Sequence, residues 1–182
     1  MNQRLIDLYD EYTHRPLDRR VFLERLTALA GSAAAAQAFL AVIEPDYARA
    51  AIVAKDDQRI GSTTLEASPD IKGYLAYPKA KGSEIKDHLV IVIHENRGLN
   101  PHIEDVARRV ALEGFHAFAA DFLTPYGGTP KDEDQARDMF AKIDMGRVVS
   151  SSAALIGGLK QKNPRMKIGA VGFCWGGGAV NL

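Results

Sequence analysis

The chain has 182 residues, enough for one domain with a packed core. Its 23 basic residues balance 23 acidic ones, so no electropositive field exists to gather nucleic acid or an anionic membrane. The single cysteine, Cys174, excludes an intrachain disulfide and is either a small buried hydrophobe or a thiol available for chemistry.

Residues 1–50 read as helical, with Leu5, Leu8 and Tyr12 at helical spacing and Pro16 breaking the run. Two readings stay open for this segment. Arg19-Arg20-Val21-Phe22-Leu23, the uncharged run Leu26 to Ile43 and Ala48-Arg49-Ala50 together resemble a twin-arginine export leader, which would make the protein periplasmic. The other reading is a helical hairpin, with Gly31 stopping one helix and Ser32 capping the next, in a cytoplasmic protein. The run is too interrupted and Ala-rich for a transmembrane helix.

Residues 51–62 read as a polar connector, and 51–182 as the main domain. Thr63–Glu66 and Ile71–Tyr77 are short strands, expected to form an antiparallel edge. His88–His94 is a continuous Val/Ile run, the pattern of a strand buried on both faces of a parallel sheet. Asn100 then caps a helix with Pro101 in its first turn, and Ile103, Val106, Ala107, Val110 and Ala111 form its apolar stripe up to Gly114. Phe115–Ala120 is a strand and Thr124–Pro130 a Gly/Pro loop. Asp132–Lys142 is a charged surface helix. Val148, Val149, Ala153, Ile156 and Leu159 line a further helix, and Lys167–Phe173 is a further buried strand. This alternation predicts an α/β fold, a mostly parallel sheet flanked by helices with an N-terminal helical extension.

The last strand runs into Gly172-Phe173-Cys174-Trp175-Gly176-Gly177-Gly178, the G-x-S-x-G nucleophile elbow with Cys in place of Ser. A nucleophile in a strained strand-to-helix turn needs tiny neighbours two residues away, here Gly172 and Gly176. The helix that follows aims N–H groups at the site and favours a thiolate. A phosphate-binding loop is the rival, but neither G-x-G-x-x-G nor a G-K-[ST] ending is present. The loop His94-Glu95-Asn96-Arg97-Gly98-Leu99-Asn100 occupies the position that supplies one oxyanion N–H, assigned to Asn96, the other being that of Trp175. No cofactor and no metal are expected.

HENRGLN followed by PHIEDVARR, and later GFCWGGG, resembles the dienelactone hydrolase (carboxymethylenebutenolidase) family of α/β-hydrolases over about residues 63 to 182. The helical N-terminus resembles that of a subgroup of bacterial homologues. The resemblance implies a Cys-His-Asp hydrolase of small-molecule esters or lactones, with Cys174 as nucleophile and Glu95 as the glutamate that bonds the resting thiol and helps to ionise it. The loop Asp121–Tyr126 lacks the arginine that binds the substrate carboxylate in the family's best-known enzyme, so dienelactone itself is not the expected substrate. The triad Asp and His would follow the elbow, whereas the chain reads only to Leu182. None of His14, His88, His94, His102 or His116 stands at the triad position; His94 is nearest and reads as structural. A C-terminally truncated, inactive fragment, with its final strand an open edge, is therefore one alternative for this chain. A non-catalytic binding module using the N-terminal hairpin is another. The sequence leaves the oligomeric state open.

Overall fold

The structure is a computed structural model and describes residues 2–15, 17–43, 51–79 and 87–182. Pro16 and the segment 48–50 lie outside the described residues. The chain divides into two compact units, Met1–Asp46 and Tyr47–Leu182.

The first unit holds three helices, α1 (Gln3–His14), α2 (Arg19–Ala30) and α3 (Ala33–Ile43). Asn2 caps α1 by accepting from Arg4 N, and Asp18 caps α2 by accepting from Arg20 and Val21 N. Gly31 ends α2 in the left-handed region at φ 83°, and the Ser32 hydroxyl accepts from Ala35 N to start α3. Leu8, Tyr12, Phe22, Leu26, Ala36 and Leu40 bury each other, with the Tyr12 and Phe22 rings stacked at 4.0 Å. The apolar run Leu26–Ile43 is thus bent at Gly31, where α2 and α3 meet at 108°. Among the described residues no single helix is long and apolar enough to cross a membrane.

The second unit is built on a five-stranded sheet of order β1-β2-β4-β3-β5, with β1 (Ile60–Ser68), β2 (Ile71–Pro78), β3 (His88–Ile93), β4 (His116–Asp121) and β5 (Lys167–Gly172). The first two strands do form an antiparallel edge, while β4, β3 and β5 run parallel. The expected connector is part of the core: Val53 and Ile60 are buried, and β1 begins at Ile60.

Side chains alternate across the sheet. Val92, Ala117 and Ala119 face α4 (Pro101–Leu112) through Ile103, Val106, Ala107 and Ala111. Ile91, Ile93, Phe118 and Ala120 face the opposite way, onto Val148 and Leu155 of α6 (Met145–Lys162). The short helices α5 (Glu133–Phe140) and α7 (Trp175–Val180) complete the unit. Asn100 caps α4 as expected, accepting from Ile103 N at 3.1 Å. Asp105 of α4 accepts from Ile52 and Val53 N, and the buried Arg108 donates to Val53 O, which ties the entering chain to this helix.

Two further expectations need correction. The buried face of α6 is Val148, Ser151 and Leu155; Val149, Ala153 and Ile156, one residue further round, are exposed. The strand Lys167–Phe173 is not buried. Among the described residues β5 pairs only with β3, so its outer edge and much of its surface meet solvent.

Candidate active site

β5 passes through Phe173 into Cys174, whose backbone sits at φ 50°, ψ −111°. A non-glycine residue there is strained by about 1–3 kcal/mol and persists only where its surroundings over-determine it. The two flanking glycines supply that constraint. A side chain on Gly172 would strike the Gly176 carbonyl, and one on Gly176 would come within 2.5 Å of the carbonyl oxygens of Ile93 and His94. The turn is closed by Gly176 N donating to Phe173 O at 2.8 Å and Gly177 N to Cys174 O at 3.0 Å. Cys174 is exposed, which removes the buried-hydrophobe alternative. Trp175 opens α7, where an N–H has no acceptor inside its own helix.

Sheet register brings the other loop to the same edge. Ile93 ends β3 directly opposite Gly172, the end of β5. Asn96 lies three residues past the first and Trp175 three past the second. Glu95, between Ile93 and Asn96, is half-buried, and that burial raises its carboxyl above the ordinary range; His102 and Arg97 pull it back down. Arg97 is bound to Glu133 of α5 at 2.6 Å. The His102 ring stands edge-on to Phe173, 6.3 Å between centroids. His102 is the member of this cluster that sequence reasoning passed over. The only local signal for it is its place in the first turn of a helix that leaves the same sheet edge.

His94 is fully buried. Its ring lies parallel to that of Trp175 (5.7 Å, 14°) and edge-on to Phe140 at 5.1 Å and Phe122 at 6.0 Å. Burial pushes the imidazole pKa down, against the opposing pull of its bond to the Glu95 carbonyl and of Asp121. Nδ1 is 2.7 Å from Glu95 O, and Nε2 accepts from Phe122 N at 3.3 Å. Both ring nitrogens are therefore engaged, and His94 is not available as a base for the thiol. Nearby, the Asp121 carboxylate accepts from Leu123 N, Thr129 N and Thr129 Oγ1, and Thr129 Oγ1 accepts from Leu99 N. This joins the loops that follow β3 and β4. Among the described residues no three His, Cys, Asp or Glu side chains are grouped to hold a metal ion.

Parallel strands β4, β3 and β5 between helical layers, with a strained turn at the end of β5, define an α/β-hydrolase type of architecture. The model of the dienelactone hydrolase family matches residues 71–182, and a model described as YqhI-like matches residues 1–31. A relative from Escherichia coli (strain K12), named Putative hydrolase fragment YghX, is 43% identical over 114 residues, 60% of this chain and 96% of its own length. A Synechocystis relative named Putative carboxymethylenebutenolidase is 36% identical over 133 residues, 66% of this chain and 52% of its own. A crystal structure described as a Putative Dienelactone Hydrolase from Klebsiella pneumoniae shares the fold at TM-score 0.52 and 23% identity, over 64% of this chain and 51% of that one. The chain belongs to the dienelactone hydrolase family. It spans about half the length of the Synechocystis and Klebsiella proteins.

Proposed function

We propose that the chain carries acyl-transfer chemistry on the carbonyl of small esters or lactones, with Cys174 as the nucleophile. The observation that carries this reading is an exposed thiol on a positive-φ residue, flanked two residues away on each side by a glycine whose side-chain position is occupied by backbone atoms. The thiolate sulfur attacks the carbonyl carbon. The carbonyl electron pair moves to oxygen, where the N–H groups of Asn96 and Trp175 receive the charge, each such donor being worth about 3–4 kcal/mol. When the tetrahedral species collapses, the C–O bond breaks and the alcohol oxygen leaves with its pair, giving a thioester on Cys174. The thiol proton passes to solvent or to Glu95. Residues 51–182 carry this chemistry, and residues 1–50 are an extension to them.

A second reading concerns the 182-residue chain alone: acylation without turnover. It is favoured by the engagement of both His94 nitrogens, which leaves that histidine unable to activate water. General acid–base help is worth about 10²–10⁴-fold, so a thioester formed without it hydrolyses slowly. The test for both readings is p-nitrophenyl acetate with residues 1–182. One equivalent of p-nitrophenolate should be released quickly, with the acetyl group found on Cys174 by mass spectrometry, followed by little further release. Undiminished release by Cys174→Ala would overturn the nucleophile assignment, and sustained turnover would overturn the second reading.

A further inference from the structure

The fully buried His94 is joined to both groups that the proposed chemistry uses as oxyanion donors. Its tautomer follows from its partners. Glu95 O can only accept, so Nδ1 carries the hydrogen across the 2.7 Å contact. Phe122 N–H can only donate, so the Nε2 lone pair receives it. The ring is neutral and anchored at both ends.

The Glu95 carbonyl and the Asn96 N–H are two ends of one planar peptide unit, and none of the described peptide bonds is cis. In a trans unit the C=O and N–H point in opposite directions. Holding the oxygen with Nδ1–H therefore sets the direction of the N–H. The same imidazole lies parallel to the indole of Trp175, which Phe140 and Phe122 flank at 4.7 and 5.8 Å. Meanwhile the backbone of Gly176 rests against the His94 carbonyl.

We propose that His94 is the positioning residue of the oxyanion hole, aiming the Asn96 N–H through the Glu95 carbonyl and seating Trp175 through its ring face. This rests on the acyl-transfer reading above. His94 touches no reacting atom. Its contribution is to keep two donors, from two different loops, converged on one point. A histidine that merely filled the core would affect stability without distinguishing one reaction of Cys174 from another.

The test compares two reactions of the same sulfur in residues 1–182. Acylation by p-nitrophenyl acetate develops charge on a carbonyl oxygen; alkylation by iodoacetamide is a displacement at carbon and does not. The variants are His94→Asn, whose amide N–H can take the place of Nδ1–H, and His94→Gln, whose amide reaches the Nε2 position instead. His94→Gln should lose about tenfold or more in acylation, part of the roughly 10²–10³ that a whole donor supplies, and His94→Asn, which keeps the tie to Glu95 O but loses the ring face against Trp175, at least about threefold less than His94→Gln does. Alkylation should stay within about twofold of wild type in both, because it needs no such donor. Acylation and alkylation falling together, or equal acylation losses in the two variants, would refute the positioning role. So would an unchanged acylation-to-alkylation ratio in His94→Gln. If the wild-type ratio is no higher than that of N-acetylcysteine, there is no hole to position, and the acyl-transfer reading fails with it.

Discussion

Glu95 pairs a charge-bearing group with a half-buried position, and the two requirements conflict. Its carboxyl is raised above the ordinary value of 4.5, with burial as the first cause. A folded-state pKa above the unfolded one means that the folded chain binds the extra proton. The associated stability is present below pH 4.5 and drains away as pH rises to the folded value. Glu95→Gln has no such proton to lose. Urea midpoints measured across pH should show this variant gaining on wild type as pH climbs above 4.5, then running parallel to it once Glu95 is ionised in both states. A gap that does not change with pH would contradict the assigned cause. At the elbow, Gly172→Ala forces a methyl group into the Gly176 carbonyl. It should cost about 1–3 kcal/mol, as overpacking does, and should show in urea unfolding at fixed pH.

Among the elements, α4 carries the most diverse support. Asn100 caps it, and Asn100→Ala should cost about 1 kcal/mol in chemical denaturation. Arg108 and Asp105 are buried beside each other, 3.6 Å apart. Arg108→Ala would strip the cation from a buried carboxylate and remove the donor to Val53 O, and should cost about 3–5 kcal/mol. A loss below 1 kcal/mol would mean that the Asp105 bonds from Ile52 and Val53 N already satisfy that charge. The cap was readable in advance because Asn100-Pro101 is a local signal. The exposed face of α6 was not. Apolar residues fall on two of its faces, and nothing within Met145–Lys162 tells Val148 and Leu155, which meet the sheet, from Val149 and Ile156. The strained turn at Cys174 was equally legible for a local reason: the glycine spacing around it is a steric demand written within five residues. The nearness of His102 to Phe173, and of Arg97 to Glu133, depends on which strands are neighbours, and sequence periodicity does not carry that information.

On a larger scale, β5 reads as a buried strand by composition yet, among the described residues, lies at the margin of the sheet. Composition reports what a strand is suited to touch, and the touching depends on what pairs beside it. Among the described residues β5 has one unpaired edge, in the same unit as the exposed Val149, Ile156 and Val171. Such an edge invites pairing between chains. Sedimentation of residues 1–182 should show concentration-dependent association, reduced in Val171→Lys, since a charge on an edge strand opposes pairing. Association that is indifferent to this substitution would place the sticky surface elsewhere.

The Asp121 carboxylate and the Thr129 hydroxyl buckle two loops together through main-chain donors from Leu99, Leu123 and Thr129. Loop amides ordinarily trade their protons with solvent quickly, each at its own pace. Leu123 and Thr129 answer to Asp121 directly and Leu99 through the Thr129 hydroxyl that Asp121 holds, so in deuterium oxide they should exchange slowly and in concert. Asp121→Ala, which removes both acceptor oxygens, should speed exchange at all three, leaving the strands between them still protected.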